Sequence, residues 1–480
     1  IRARDVTGVQ TCALPISLVL TGANGAIANS SGYTVNNGAT LRLANAAAAN
    51  NGNRLKDASG VTLNGGSLHF SNDGGAASYS ETAAALSVAQ NACTVRADRA
   101  PAGQTSTLTF SSLSRTAGAT VDFAGEGLGD PDGRNKIVFT TAPTLVNGVL
   151  GPWATVNGTN LATYSVARGV YASPLPAYDV DIAARGPASV IASNDTQHVR
   201  INSDGVSGAI QLGAPVTRIA SLTQNTATEA TVDTAGKSFQ TAAVAVPAGK
   251  APVVLGASSG DGTLSALVSG GDLTLGSDAA GGMTVNAVIV NNGSASTLTK
   301  QGSGPVTLAA PNTFSGVTSI GGGTLRLTHA DALQNSTLGG AGAVFDSSVA
   351  SHAFAIGGLT GSFPLPLEDN GGSPVNLTLG RGNPSATYSG MLSGLGGLTK
   401  TGTATQTLSG SNTFSGGVTL SQGALSIGNA SSLGVGPVVN NGTLNLTAGG
   451  VTYSGLSSSL SGTGTVNVTL TTGSGTTFLH

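Results

Sequence analysis

Leu298-Thr299-Lys300-Gln301-Gly302 and Asn312-Thr313-Phe314-Ser315-Gly316 return at a constant shift, from 298 to 398, as Leu398-Thr399-Lys400-Thr401-Gly402 and Asn412-Thr413-Phe414-Ser415-Gly416. Thr307-Leu308, Gly323 and Leu325 are matched at the same offset. Self-similarity at a fixed period is the signature of a repeat architecture, whose units bury their apolar faces only by stacking on one another. Looser copies of the closing half are Val35-Asn36-Asn37-Gly38-Ala39-Thr40-Leu41-Arg42-Leu43, Leu63-Asn64-Gly65-Gly66-Ser67-Leu68-His69-Phe70 and Val439-Asn440-Asn441-Gly442-Thr443-Leu444-Asn445-Leu446. In each, Asn-Gly or Gly-Gly supplies the positive φ of a tight turn. Apolar residues then alternate, as Leu41 and Leu43 do, so one face of a short strand points inward.

The alternation continues through the last third of the chain, in Leu325/Leu327, Phe354/Ile356, Leu377/Leu379, Val418/Leu420, Leu425/Ile427 and Val466/Val468. Gly-, Ser- and Asn-rich turns separate the pairs, and no helical period intervenes. These features predict an all-β chain, a parallel β-helix or β-solenoid with almost no α-helix. Coils of about 20–25 residues stacked at about 4.8 Å would give roughly twenty coils and a rod of about 100 Å. Leu325, Leu327, Leu425 and Ile427 should point inward at equivalent places. Hairpin sandwiches compete, since Asn-Gly turns favour hairpins. The solenoid is preferred because turn residues recur in register with the strands and few aromatics are available for a sandwich core.

Composition agrees. Of 480 residues, 9% are charged and 4% aromatic, 72 are Gly and 39% are hydrophobic. An ordinary domain carries about 25% charged residues, while a disordered chain lacks regularly spaced Val, Ile and Leu. A core of Ala, Val, Leu and Ile is narrow and repeated. Twenty-two acids against 20 bases, with neither sign in a block, leave no footprint for nucleic acid or an anionic membrane. No stretch approaches the roughly 18 apolar residues of a spanning helix, and no signal peptide opens the chain. Cys12 and Cys93 are the two cysteines, too few for a disulfide framework or a Cys-rich zinc site. Alternation places Cys93 with Val95 on an inward face.

Three segments are expected. Residues 1–16 include Asp5-Val6-Thr7-Gly8-Val9-Gln10-Thr11-Cys12-Ala13-Leu14-Pro15-Ile16, which resembles a translated sequencing adapter and is set aside as a non-native tail. Residues 17–290 form an irregular β-helix region. Within it, residues 129–213 carry Asp130-Pro131-Asp132-Gly133, Trp153, Pro174, Pro176 and Pro187, where excursions from the stack are expected. Residues 291–480 form a β-helix with the clear repeats.

Leu298 to Leu325 and its copy from Leu398 to Leu425 resemble the passenger-associated transport repeat of bacterial autotransporters. Leu113 to Phe139 and Gly151-Pro152-Trp153-Ala154-Thr155-Val156-Asn157-Gly158-Thr159 resemble large autotransporter-repeat proteins. The resemblance implies a right-handed β-helix passenger, secreted or displayed at the cell surface in association with the outer membrane. A signal peptide and a C-terminal barrel are not found in the sequence, so His480 is expected to be a truncation point.

Chemical motifs are sparse. Gly256-Ala257-Ser258-Ser259-Gly260 spells the nucleophile elbow G-x-S-x-G, but no helix follows it. Asp130-Pro131-Asp132-Gly133 and Asp179-Val180-Asp181 offer too few oxygens for Ca²⁺, and the first is a Pro-Asp-Gly turn. Gly339-Gly340-Ala341-Gly342-Ala343-Val344 begins like a calcium nonapeptide, with Val344 where Asp is required. His69, His198, His329, His352 and His480 are scattered singly. For a polysaccharide-acting β-helix enzyme the best candidates are Asp179 and Asp181 near Tyr178 and Arg185. The expectation is a structural or adhesive module with no catalytic, cofactor-binding or metal-binding residue and no cofactor. Its rivals are that glycan-acting enzyme and a passive spacer. The expected partner is a glycan or other cell-surface ligand, with no nucleic acid and no membrane span. End-to-end self-association is expected through Thr463-Gly464-Thr465-Val466-Asn467-Val468-Thr469-Leu470, which is uncharged and free of Pro.

Overall fold

A computed structural model describes residues 8–12, 17–27, 29–116, 119–145, 148–151, 153–158, 160–173, 180–186, 189–446 and 460–468. The described residues are all-β apart from a single 3-10 turn at Ala47–Ala49, and their strands stack in parallel as a β-solenoid. The chain divides into two compact units, residues 1–180 with 196–199, and residues 181–195 with 200–480.

The first unit has three faces. One stacks Ser30–Asn36, Val61–Asn64, Leu86–Gln90 and Leu113–Arg115. The second stacks Ser17–Leu20, Thr40–Asn45, Ser67–Asn72, Ala92–Ala97 and Thr120–Ala124, and the third Tyr79–Ala83, Ser106–Phe110 and Lys136–Phe139. Gly8–Cys12 pairs in parallel with Ser30–Asn36 at the edge of the first face. Register places Tyr33 beside Val61, Leu41 beside Leu68 and Leu108 beside Ile137. Side chains stacked on adjacent coils, such as Asn36 and Asn64 or Ser87 and Ser114, are 28 and 27 residues apart. These coils exceed the expected length because each carries a third strand or, in the coil of Thr40–Asn45, a long loop in its place. Leu41 and Leu43 point inward while Arg42 lies outside. Phe70, Phe110, Phe123 and Phe139 fill the interior, with the Phe110 and Phe139 rings stacked at 5.9 Å.

Among the described strands, parallel stacking is departed from in one place. Ala154–Val156, Asn160–Ser165 and Gly169–Ala172 pair antiparallel, within the stretch marked by its Pro residues and Trp153. Asn157 and Gly158 have φ of 53° and 70°, two successive left-handed residues as in a tight reversing turn, where the coil turn at Gly38 uses one. Arg168 lies 3.8 Å over the Tyr171 ring and Arg115 5.4 Å over Trp153.

In the second unit one long face includes Val216–Gln224, Ser238–Val246, Asp272–Ser277, Thr297–Gln301 and Val317–Ile320, and continues to Leu460–Ser461. A second runs from Val190–Ile191 to Ala343–Phe345, and a third from Ala386–Tyr388 to Thr465–Val468. Side chains that bridge neighbouring coils of the repeats span 20 residues. Leu325, Leu327, Leu425 and Ile427 are all buried. Leu325 pairs with Val306 and Ala343, and Leu425 holds the equivalent place between Gln406 and Leu444.

Candidate functional site

The repeats invert the usual rule of burial. Lys300 and Lys400 follow Leu298 and Leu398 at the alternation of two, so they enter the interior, where they are 0% and 1% exposed. Lys300 Nζ donates to the carbonyls of Gln301, at 2.9 Å, and Gly302. Lys400 Nζ donates to Thr401 and to Gly402, the latter at 3.1 Å. Each ammonium closes the turn that follows its own strand. Burial pushes Lys300 down to about 8, against a small opposing pull from Asp278, and burial lowers Lys400 too. Gly323 stands so near that a Cβ would come 2.6 Å from Lys300 Nζ.

Asn312 and Asn412 follow later in the same coils and are buried too. Asn312 Oδ1 accepts the Ile289 N–H at 2.8 Å and its Nδ2 donates to the Ala332 carbonyl at 2.9 Å. Asn412 accepts from Leu392 at 2.8 Å and donates to Ser432 at 2.5 Å. Two residues on, Phe314 and Phe414 are buried as plugs. The conspicuous residues of the motif are therefore joints between coils.

The residues singled out for chemistry are held by their neighbours. Asp181 takes Arg200 Nε and Nη2, both at 2.8 Å, and Asn202 at 3.0 Å. The Arg200 hydrogen bond is the main reason its carboxyl is lowered. Arg185 instead donates to the Glu229 carbonyl, and Tyr178 and Asp179 lie outside the described residues. Asp130 and Asp132 face Arg99, and Asp132 also accepts from Arg134 at 2.8 Å. Arg134 first, then Arg99, holds the Asp132 carboxyl well below the usual range. Gly133 closes the expected turn with φ 72°. Ser258 sits in an exposed turn between Val253–Leu255 and Thr263–Ser265, braced by Asp261 accepting from the Ala257 N–H at 2.8 Å. Val344 lies in the strand Ala343–Phe345. Cys93 is buried, and burial pushes its thiol up to about 11.

Two polar clusters were not visible as sequence motifs. His352 Nδ1 lies 2.6 Å from Asp369 Oδ2, and Asp369 Oδ1 accepts the N–H groups of Gly371 and Ser373 at 2.8 and 2.9 Å. Burial would raise the Asp369 carboxyl, but those N–H groups and His352 hold it low. On the coil before it Asp346 meets Arg326 and Asn370. Burial opposes ionisation there as well, yet Ser348 and Arg326 bring Asp346 to about 2. His352 has φ 46°, a conformation uncommon for a side chain of its type. In the first unit, Glu81 accepts the N–H groups of Arg54 and Leu55 at 3.0 and 2.9 Å. It stands in for the strand carbonyls absent beside Tyr79–Ala83. Arg54, fully buried, donates to Asn45 and to the carbonyls of Gly22, Gly25 and Ala49. Burial pushes Glu81 up to about 7, outweighing the two N–H donors. Polar contacts 17 to 27 residues apart become visible only once coil length is known. His69 likewise meets Asp98 at 3.1 Å, His329 accepts from the Asp331 N–H, and His480 lies outside the described residues. Among the described residues no three His, Cys, Asp or Glu gather as a metal site, and no helix is long and apolar enough to cross a membrane.

Residues 298–327 and 398–427 match the passenger-associated-transport-repeat family. Over 376 residues, 75% of this chain, the sequence is 29% identical to the adhesin BmaC autotransporter of Brucella suis biovar 1 (strain 1330). The chain spans 10% of that relative's length. No solved structure matches.

Proposed function

We propose that this chain, an autotransporter passenger repeat protein, works as an adhesive scaffold displayed outside the cell in association with the outer membrane. The observation that carries the adhesive role is a row of uncharged polar side chains on one face of the second unit. Thr387, Thr407, Ser426, Asn445 and Asn467 stand side by side on successive strands. Asn467 donates to Asn445 at 3.0 Å and Asn445 to Ser426 at 3.2 Å. Thr387 and Asn467 are exposed, Thr407 and Asn445 half-buried and Ser426 buried, and the amides and hydroxyls that reach solvent suit the hydroxyls of a cell-surface glycan, which are held by neutral hydrogen bonds. The relative's description as an adhesin supports the same role.

Catalysis is not part of the proposal. Asp132, Asp181, Asp346 and Asp369 are each engaged by Arg, His or backbone N–H donors, leaving them poorly placed as general acids or bases. The test is binding of the purified chain to immobilised glycans and to intact epithelial cells. Saturable binding that weakens when Asn445 and Thr407 are both changed to Lys is expected. No binding to either surface would leave the spacer as the better description, and release of reducing ends from a polysaccharide would favour the enzyme.

Self-association belongs to the same proposal. In the strand Thr465–Val468, Val466 and Val468 are 40% and 39% exposed, and an uncharged exposed strand templates pairing with another chain. Lys at Thr465 and Asn467 should suppress concentration-dependent oligomers in light scattering. A strict monomer at high concentration refutes this part.

A further inference from the structure

Asn312 and Asn412 each stand as the one amide in a short column, between Ile289 and Ala332 in the first repeat and between Leu392 and Ser432 in the second. Each amide is engaged from both sides. Its oxygen takes an N–H from the preceding coil and its NH₂ gives a hydrogen to a carbonyl of the following coil. At 1% and 2% exposure, water cannot replace either partner.

The apolar pattern, by contrast, does not single out one stacking. Val306-Thr307-Leu308, Leu325-Arg326-Leu327, Val418-Thr419-Leu420 and Leu444-Asn445-Leu446 all present the same in-out-in order. A slip of one residue would turn a strand inside out, but a slip of two keeps every apolar side chain inside. Such a slip carries the Ser432 carbonyl away from Asn412 and strands a buried donor, which is strongly disfavoured. In packed helices a single buried amide sets register and partner at a cost in stability.

We propose that the Asn of each transport repeat is a register lock, which selects one alignment of three successive coils from the several that the apolar pattern allows. Two copies with the same donors and acceptors carry the inference independently. It does not depend on what the protein binds.

The test uses cysteine reporters in the full chain. Thr399 and Thr419 are register partners, so T399C/T419C reports the native alignment and T401C/T419C a slip of two. Each chain is refolded from denaturant under reducing conditions and then oxidised, and the linkage is quantified by peptide mass. With Asn412 present, the native linkage should dominate. In N412L the β-sheet circular dichroism and the melting temperature should be kept, while the slipped linkage rises at least ten-fold. An unchanged ratio of the two linkages, or a lowered melting temperature with native alignment kept, overturns the proposal and makes Asn412 a stabilising contact only. If N412L does not regain β structure, N412Q, which keeps an amide on a longer arm, is put through the same assay. Slippage there supports the lock. Native alignment, or failure of both variants to fold, overturns it.

Discussion

The coils of the first unit and those of the transport repeats solve one packing problem at two sizes. In the first unit, stacked side chains on neighbouring coils lie 27 or 28 residues apart and three strands bound the interior. That wider section is filled by Phe70, Phe110, Phe123 and Phe139 with Tyr164 against them. In the repeats the spacing is 20 residues, the strands are short, and Leu, Ile and a single Phe suffice. A small section also brings main-chain carbonyls within reach of any inward polar side chain, which is how Lys300 and Asn312 find partners. The wide coil instead gathers its buried charges, Glu81 and Arg54, where a strand is replaced by a loop. Perimeter therefore decides which residues an interior can hold.

The sharpest way to break this comparison is Leu425→Asp, which puts an unpaired charge into the narrow section. A loss of more than about 4 kcal/mol is expected, and unchanged thermal unfolding would contradict the inward assignment. Next, Phe123→Ala in the wide section should cost about 3–5 kcal/mol by leaving a cavity no neighbour can fill, measured by denaturant unfolding.

Two buried titrating groups, one in each region, separate the regions by pH. Glu81, faced by Arg54, Asp57 and Tyr33, stands at about 7 against an ordinary value of 4.5. Between those values the folded chain holds a proton that the unfolded chain has released, so stability falls as pH rises through that window, by roughly 1–3 kcal/mol. Glu81→Gln should flatten the fall. Lys300 is displaced the other way, to about 8 from 10.5. Between those values the unfolded chain holds the extra proton, so stability rises with pH, again by roughly 1–3 kcal/mol, and Lys300→Met should shrink the rise, leaving the part that the similarly lowered Lys400 contributes. Melting temperatures across pH for the two variants check both signs. The smallest effect is expected outside: Arg381→Ala breaks a 2.6 Å pair with Asp331 that is 49% and 34% exposed, and should change stability by less than about 1 kcal/mol.

The architecture was legible because alternation and turn chemistry are local. Leu325 and Leu425 could be placed inside from their spacing alone; Lys300 and Lys400 share that spacing, but their burial was not read from the sequence, because a charged side chain is ordinarily placed outside. Coil length in the first unit was not legible, since it depends on loops such as the one carrying Arg54, whose partners lie 5 to 32 residues away. The stretch 129–213 was marked for an excursion, but its antiparallel pairing at Asn157-Gly158 was not legible, because Asn-Gly elsewhere in this chain simply turns a coil. The joining roles of Asn312 and Asn412 depend on which carbonyl the next coil presents, and no pattern within a single coil contains that information.

Parallel stacking also has a mechanical consequence. A coil of 20 residues occupies only about 5 Å of stack height but pulls out to about 65–70 Å of chain. Tension along the stack loads the inter-strand hydrogen bonds, so a stretched repeat lengthens in discrete steps of about that size and sheds force at each one. Asn312 and Asn412 tie three coils apiece, which adds to the force needed to open the coils they join.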